Sequence, residues 1–342
     1  MRIDVARVDL PLKKKFAISK GSAVIKTDVL AILEGRYCGE ASGSVAYGPS
    51  PDIMETDLLK GVEAISGAPR VTIDMLQSVD SLPIGPTARA AMTGMVINCL
   101  SGESGRLPWD ILGLEPPGSI RTSMTFALHD PATTVEQVIC SPYPIVKIKM
   151  GDRHDANLLE LLKHVRGKEV RVDANCGWSV AQAEEMIAHL ARIGVKVIEQ
   201  PTAPEFIAEW PRLKGKSRDV ELFADEGMFT LDDFRKFGSY CDGINIKMAK
   251  SGGILEAIRM ARAAKQAGKK VLLGCMVESS IGIAPSVYMG SLADYFDLDG
   301  PLLLNHDIAD GITYKSNTIT VGPSIIGGPV LRQDVVQNLA LR

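Results

Sequence analysis

The chain has 342 residues, 46% hydrophobic and 23% charged, with a formal net charge of -3. That length exceeds one small core and fits either two modest domains or a barrel with a smaller domain attached. The balanced charge argues against nucleic acid or an anionic membrane as partner, and no window reaches the ~18 apolar residues of a membrane span.

The N-terminus carries acids and a proline where a signal peptide needs an apolar run, so the expected location is cytoplasmic. The expected partner is a small soluble molecule, and a homo-oligomer is compatible with the composition. Six cysteines, Cys38, Cys99, Cys140, Cys176, Cys241 and Cys275, show no CxxC spacing and read as reduced thiols.

Residues 1–10 and 24–33 are β-rich runs joined by the polar stretch KKKFAISKGSA, which predicts an antiparallel pair, and Gly-rich GEASGSVAYG follows. From about Arg121 the texture changes. Short apolar strands alternate with helical segments such as 156–167, 180–194 and 253–268, whose apolar residues recur every three or four positions. That alternation predicts a parallel sheet. The strand ends fall at Lys149, Asp173, Glu199, Asp225, Lys247, Gly274 and Asp299, spaced by 24, 26, 26, 22, 27 and 25 residues. With an earlier strand near RTSMTFAL they make eight units, the number that closes a (β/α)8-type barrel. The strand-like tail after residue 311 is expected to return to the N-terminal part.

Barrel active sites sit at the C-terminal strand ends, and here those ends are charged. Asp173, Glu199 and Asp225 end three successive strands, so three carboxylates converge. A hard divalent cation with oxygen ligands relieves their repulsion, and Mg²⁺ suits so few carboxylates. Lys147 and Lys149 alternate onto one inward face of the second strand, and Lys247 ends the sixth, with Lys250 just beyond. An inward lysine is costly without a purpose, and burial lowers its pKa toward the range of a general base.

Lys147-Ile-Lys149, Asp173-Ala-Asn175, Glu199-Gln-Pro201, Ala224-Asp225-Glu226, Asn245-Ile-Lys247 and Lys250-Ser-Gly-Gly together resemble the ordered signature of the enolase superfamily, muconate-lactonising subgroup. The resemblance implies an α/β fold, a modified (β/α)7β TIM-type barrel (116–315) under an α+β capping domain (1–115 plus 316–342). It implies Mg²⁺ on Asp173, Glu199 and Asp225, and Lys149 and Lys247 as an acid/base pair acting through a metal-stabilised enediolate.

None of the five histidines (His129, His154, His164, His189, His306) lies at a triad position, which disfavours sugar-acid dehydratases. Asp297-Leu-Asp299 resembles the strand-eight signature of dipeptide epimerases, whose acid pair holds the ammonium of an N-terminal amino acid. Thr125, Lys147 and Met276 complete the expected substrate contacts. The implied activity is an isomerase that inverts the α-carbon of a dipeptide's C-terminal residue. The rival readings are an o-succinylbenzoate synthase, an N-acylamino-acid racemase or a cycloisomerase on the same scaffold, and, more distantly, a binding protein without catalysis. Relatives acting on Ala-Glu present an arginine from a capping loop; residues 16–26 here hold none, and Lys20 or Lys26 is the available cation.

Overall fold

The computed structural model describes all residues except 19–20, 45–47, 128–129, 216, 322–324 and 342, and no side chain at positions 17 and 18. Strands β1 (Ile3–Ile18), β2 (Gly21–Leu33) and β3 (Tyr37–Ala41) form an antiparallel sheet with β1 at the edge. The lysine run expected to be a connector is therefore strand, with a register shift between Pro11 and Phe16. Lysines are well tolerated on an edge strand, where they discourage pairing with another chain. Helix Pro86–Ser104 is apolar nearly all round and packs against β3. Gly39 permits this contact, because a Cβ there would lie 1.8 Å from the Ala91 carbonyl oxygen.

After the short strand β4 (Ile120–Arg121), eight parallel strands follow in ring order: β5 (Met124–Phe126), β6 (Ile145–Lys149), β7 (Glu169–Asp173), β8 (Val197–Glu199), β9 (Glu221–Ala224), β10 (Gly243–Ile246), β11 (Lys270–Gly274) and β12 (Tyr295–Asp297). A parallel bridge from Thr122 to Phe296 and the Ser123 N–H to Phe296 carbonyl bond, 3.1 Å, bring the two ends together. The expected TIM-type barrel is the observed fold. Register places Lys149 beside Asp173 and Asp173 beside Glu199, one row across three strands. Below that row Val197, Phe223 and Leu272 fill the interior, with Tyr295 edge-on to Phe223.

The tail strands β13 (Ala309–Asp310) and β16 (Val330–Leu331) pair with each other, while β14 (Ile312–Lys315) and β15 (Thr318–Val321) form a hairpin continued by β4. Leu331 packs in one cluster with Leu10, Leu30 and Ile32 of the N-terminal sheet. The expected 315/316 division falls in the hairpin turn. Glu40 of β3 ties this part to the barrel, accepting from the Ser279 N–H (3.1 Å), the Gly282 N–H (3.0 Å) and the Ser279 hydroxyl at the start of helix Ser280–Tyr288. No helix among the described residues is long and apolar enough to cross a membrane. Among the same residues all six cysteines are free.

Candidate active site

One small cavity at the C-terminal strand ends is lined by Lys147, Lys149, Lys247, Thr125, Met276, Asp297 and Asp299, seven of the residues singled out in the sequence. Asp173, Glu199 and Asp225 lie buried beneath it. A larger cavity, about 790 Å³, lies between Arg36, Arg70 and Glu103, far from any of these residues. The residues singled out in the sequence gather around the smaller one. His154, His164, His189 and His306 do not line it, and His129 lies outside the described residues.

Each of the three buried strand-end carboxylates, and Asp297, is met by a lysine. Asp173 Oδ2 accepts from Lys149 Nζ at 2.7 Å and lies 3.0 Å from Lys147 Nζ. Lys147 Nζ also donates to Glu199 Oε2 at 2.8 Å and Asp297 Oδ2 at 2.6 Å. Asp225 Oδ2 accepts from Lys247 Nζ at 2.9 Å, and its Oδ1 accepts from Lys250. Lys147, expected as a substrate contact, lines the cavity with its ammonium committed to three acids. Burial alone would lower its pKa, but Asp173, Asp297 and Glu199 outweigh burial and hold it well above the usual lysine range. The three acids thus favour its charged form.

The acids differ in ionisation. Burial would raise Asp173 and Asp225, yet flanking lysines pull both below the usual carboxylate range. Glu199 is pushed up to about 8 by burial and by Asp173, against the attraction of Lys147. Asn245 Nδ2 donates to Glu199 Oε1 at 2.8 Å. Gly274 makes room for that amide, since a Cβ there would stand 2.4 Å from Asn245 Oδ1. Past the strand ends Asn175 and Gln200 adopt positive φ, 44° and 40°. Such backbone costs free energy in residues other than glycine and clusters at functional sites. Gln200 is held there by Nε2 donating to the Thr202 carbonyl and Oε1 accepting from the Asp225 N–H, both 2.9 Å.

The Asp297–Asp299 pair is split between two environments. Ser123 Oγ donates to Asp297 Oδ1 at 2.6 Å, and the Thr125 N–H donates to Asp299 Oδ2 at 2.6 Å. Asp299 lies two residues past β12 and makes no side-chain cap to the helix that follows it. Burial and Asp297 raise it to about 6, whereas the neighbouring Lys147 overcomes burial and lowers Asp297. Lys26 does not line the cavity and donates to Asp28 and Ser42, each at 2.5 Å, and Lys20 lies outside the described residues.

The donor set fits a hard divalent cation. Lys147, Lys149, Lys247 and Lys250 face Asp173, Glu199, Asp225, Glu226, Asp297 and Asp299, an excess of two formal negative charges. Asn175 Oδ1, Glu226 Oε2 and Asn245 Oδ1 are buried oxygens without a hydrogen-bond partner among the described residues. Hard oxygen donors with surplus negative charge suit Mg²⁺ rather than a soft metal. Among the described residues no three acids, cysteines or histidines already form a ligand cage, since the acids point at lysine amines. Glu226, Lys250, Asn245 and Ser123 were not assigned to the site from sequence; the first three stand inside the quoted motifs, whereas Ser123 carries no sequence signal.

Comparison with known proteins follows the same lines. Residues 131–322 match the family model described as Enolase C-terminal domain-like. An L-Ala-D/L-amino acid epimerase from Maribacter sp. is 31% identical over 96% of this chain and 99% of its own. The substrate-liganded L-Ala-D/L-Glu epimerase from Bacillus subtilis superimposes with a TM-score of 0.86 at 26% identity, covering 96% of this chain and 98% of its own. A dipeptide epimerase from Cytophaga hutchinsonii complexed with Mg and D-Ala-L-Val shares the fold, with a TM-score of 0.88 at 22% identity over 99% of this chain and 98% of its own.

Proposed function

This chain belongs to the Enolase C-terminal domain-like family, and from that premise we propose that it is a Mg²⁺-dependent dipeptide epimerase acting on the α-carbon of the C-terminal residue. It is an isomerase of the racemase and epimerase class. One observation carries the finer reading: Lys149 and Lys247 stand at the ends of the second and sixth of eight barrel strands, half a turn apart, around a cavity that also holds Asp297 and Asp299.

Asp173, Glu199 and Asp225 would hold the cation, which supplies positive charge at the substrate carboxylate and so acidifies the adjacent α-hydrogen. The remaining steps belong to the chain. One lysine Nζ removes the α-proton from its face and the other delivers a proton from the opposite face, which inverts the centre. Lys147, held charged by three acids, is unsuited to either role and instead keeps Asp173, Glu199 and Asp297 together. Asp297 and Asp299 receive the ammonium of the first residue through charge-assisted hydrogen bonds. Lys250, whose pKa burial lowers, braces Asp225 beside Lys247.

Mass spectrometry of an L,L-dipeptide library incubated in D₂O tests this. The second residue should gain one deuterium as it epimerises. Lys149→Ala and Lys247→Ala should each stop epimerisation, while the surviving lysine still exchanges the α-proton of one epimer. Exchange of N-acetyl or N-succinyl amino acids without exchange of any dipeptide would transfer the assignment to an N-acylamino-acid racemase.

A further inference from the structure

A second, half-open groove of about 150 Å³ adjoins the active-site cavity, with Phe16, Thr125 and Leu303 lining both. Its apolar wall comes from Met124, Phe126 and Leu302, and its rim from Lys13, Lys14 and Lys15. Lys13 is pinned there by donating to the Leu302 carbonyl at 2.9 Å, which fastens edge strand β1 to the barrel. Among the described residues no acid lines the groove. In a chain of net charge -3, three consecutive cations bordering one recess are a local departure.

The junction is informative. Thr125, which lines both spaces, donates its N–H to Asp299 Oδ2. An ammonium held by Asp297 and Asp299 therefore sits where the cavity opens into the groove, and the side chain on that same carbon has the groove in front of it. Resting on the epimerase reading, we propose that this groove is the subsite for the side chain of the dipeptide's first residue, and that it selects an apolar stem ending in an anion, as in glutamate. The wall buries methylenes, and the lysines meet the carboxylate while repelling a cationic end. A groove that is part of the strand edge, with its charges exposed, favours selection by sign more than raw affinity.

The test compares kcat/KM for L-Glu-, L-Leu- and L-Lys-first dipeptides sharing one second residue, on the wild type and on the Lys14→Glu/Lys15→Glu double variant. The wild type should favour Glu-first over Lys-first by roughly tenfold or more, and the double variant should shift that ratio toward Lys-first by about tenfold or more. The wild-type preference should also shrink as salt rises from low ionic strength to about 1 M, where screening acts within about 3 Å. Equal rates on Glu-first and Lys-first dipeptides, or a ratio unchanged in the double variant, would overturn the groove assignment while leaving the epimerase intact. Failure of every dipeptide would remove the epimerase reading and this one with it.

Discussion

Replacing Lys147 by Met tests whether the site is an electrostatic balance. The change keeps an unbranched stem of similar volume but deletes an ammonium bonded to three carboxylates at 3.0, 2.8 and 2.6 Å. Breaking a buried ion pair typically costs about 3–5 kcal/mol, because the partner charge stays buried and uncompensated. At an unfolding entropy of about 2.1 cal/mol/K per residue, a chain of 342 residues loses roughly 4–7 °C in Tm for that cost. The loss should depend on pH. Glu199, raised to about 8, is largely protonated at pH 6 with or without Lys147, so its share of the loss is small there, whereas at pH 9 the wild-type carboxylate is ionised against Lys147 and the variant lacks that compensation. With less competition from the ammonium, Mg²⁺ should raise the Tm of the variant more than that of the wild type. Thermal melts of both proteins at pH 6 and 9, with EDTA and with Mg²⁺, measure all three effects. A variant with wild-type Tm in EDTA, or one that Mg²⁺ stabilises less than the wild type, would refute the reasoning.

Glu199→Gln should keep the fold but weaken Mg²⁺ binding and abolish turnover, because one anionic donor becomes neutral and its amide meets the donors of Lys147 and Asn245; calorimetric Mg²⁺ affinity equal to wild type would remove Glu199 from the metal site. The Asp299 carboxyl, raised to about 6, loses its charge as pH falls through that value, so kcat/KM for dipeptides should fall about tenfold per unit below pH 6, with Asp299→Asn lower above that pH and lacking that limb; a limb that survives the substitution would belong to another group.

The barrel and most of the site were legible because both rest on local pattern. One βα unit per ~25 residues set the rhythm and put Asp173, Glu199 and Asp225 at strand ends, and strand alternation placed Lys147 and Lys149 on one inward face. What the sequence could not supply was the partner of each charge. Lys147 and Lys149 are indistinguishable by alternation, yet barrel closure brings Asp297, 150 residues away, onto Lys147 and leaves Lys149 with Asp173. Ser123 reaches Asp297 by the same closure. Lys26 had the right position in the loop, but Asp28 two residues on and Ser42 across the sheet claim it, because a buried ammonium needs partners before it can serve a ligand. The lysine run at 13–15 fails as a turn signal because the segment stays extended through the register shift between Pro11 and Phe16, where it borders a groove on the barrel wall. Polar residues at strand ends announced a site, but which of them are free to act was decided by neighbours far apart in the chain. The test of that distinction is chemical: Lys149 and Lys247, on opposite sides of the cavity, should exchange protons with substrate, and Lys147, shared by three acids, should not.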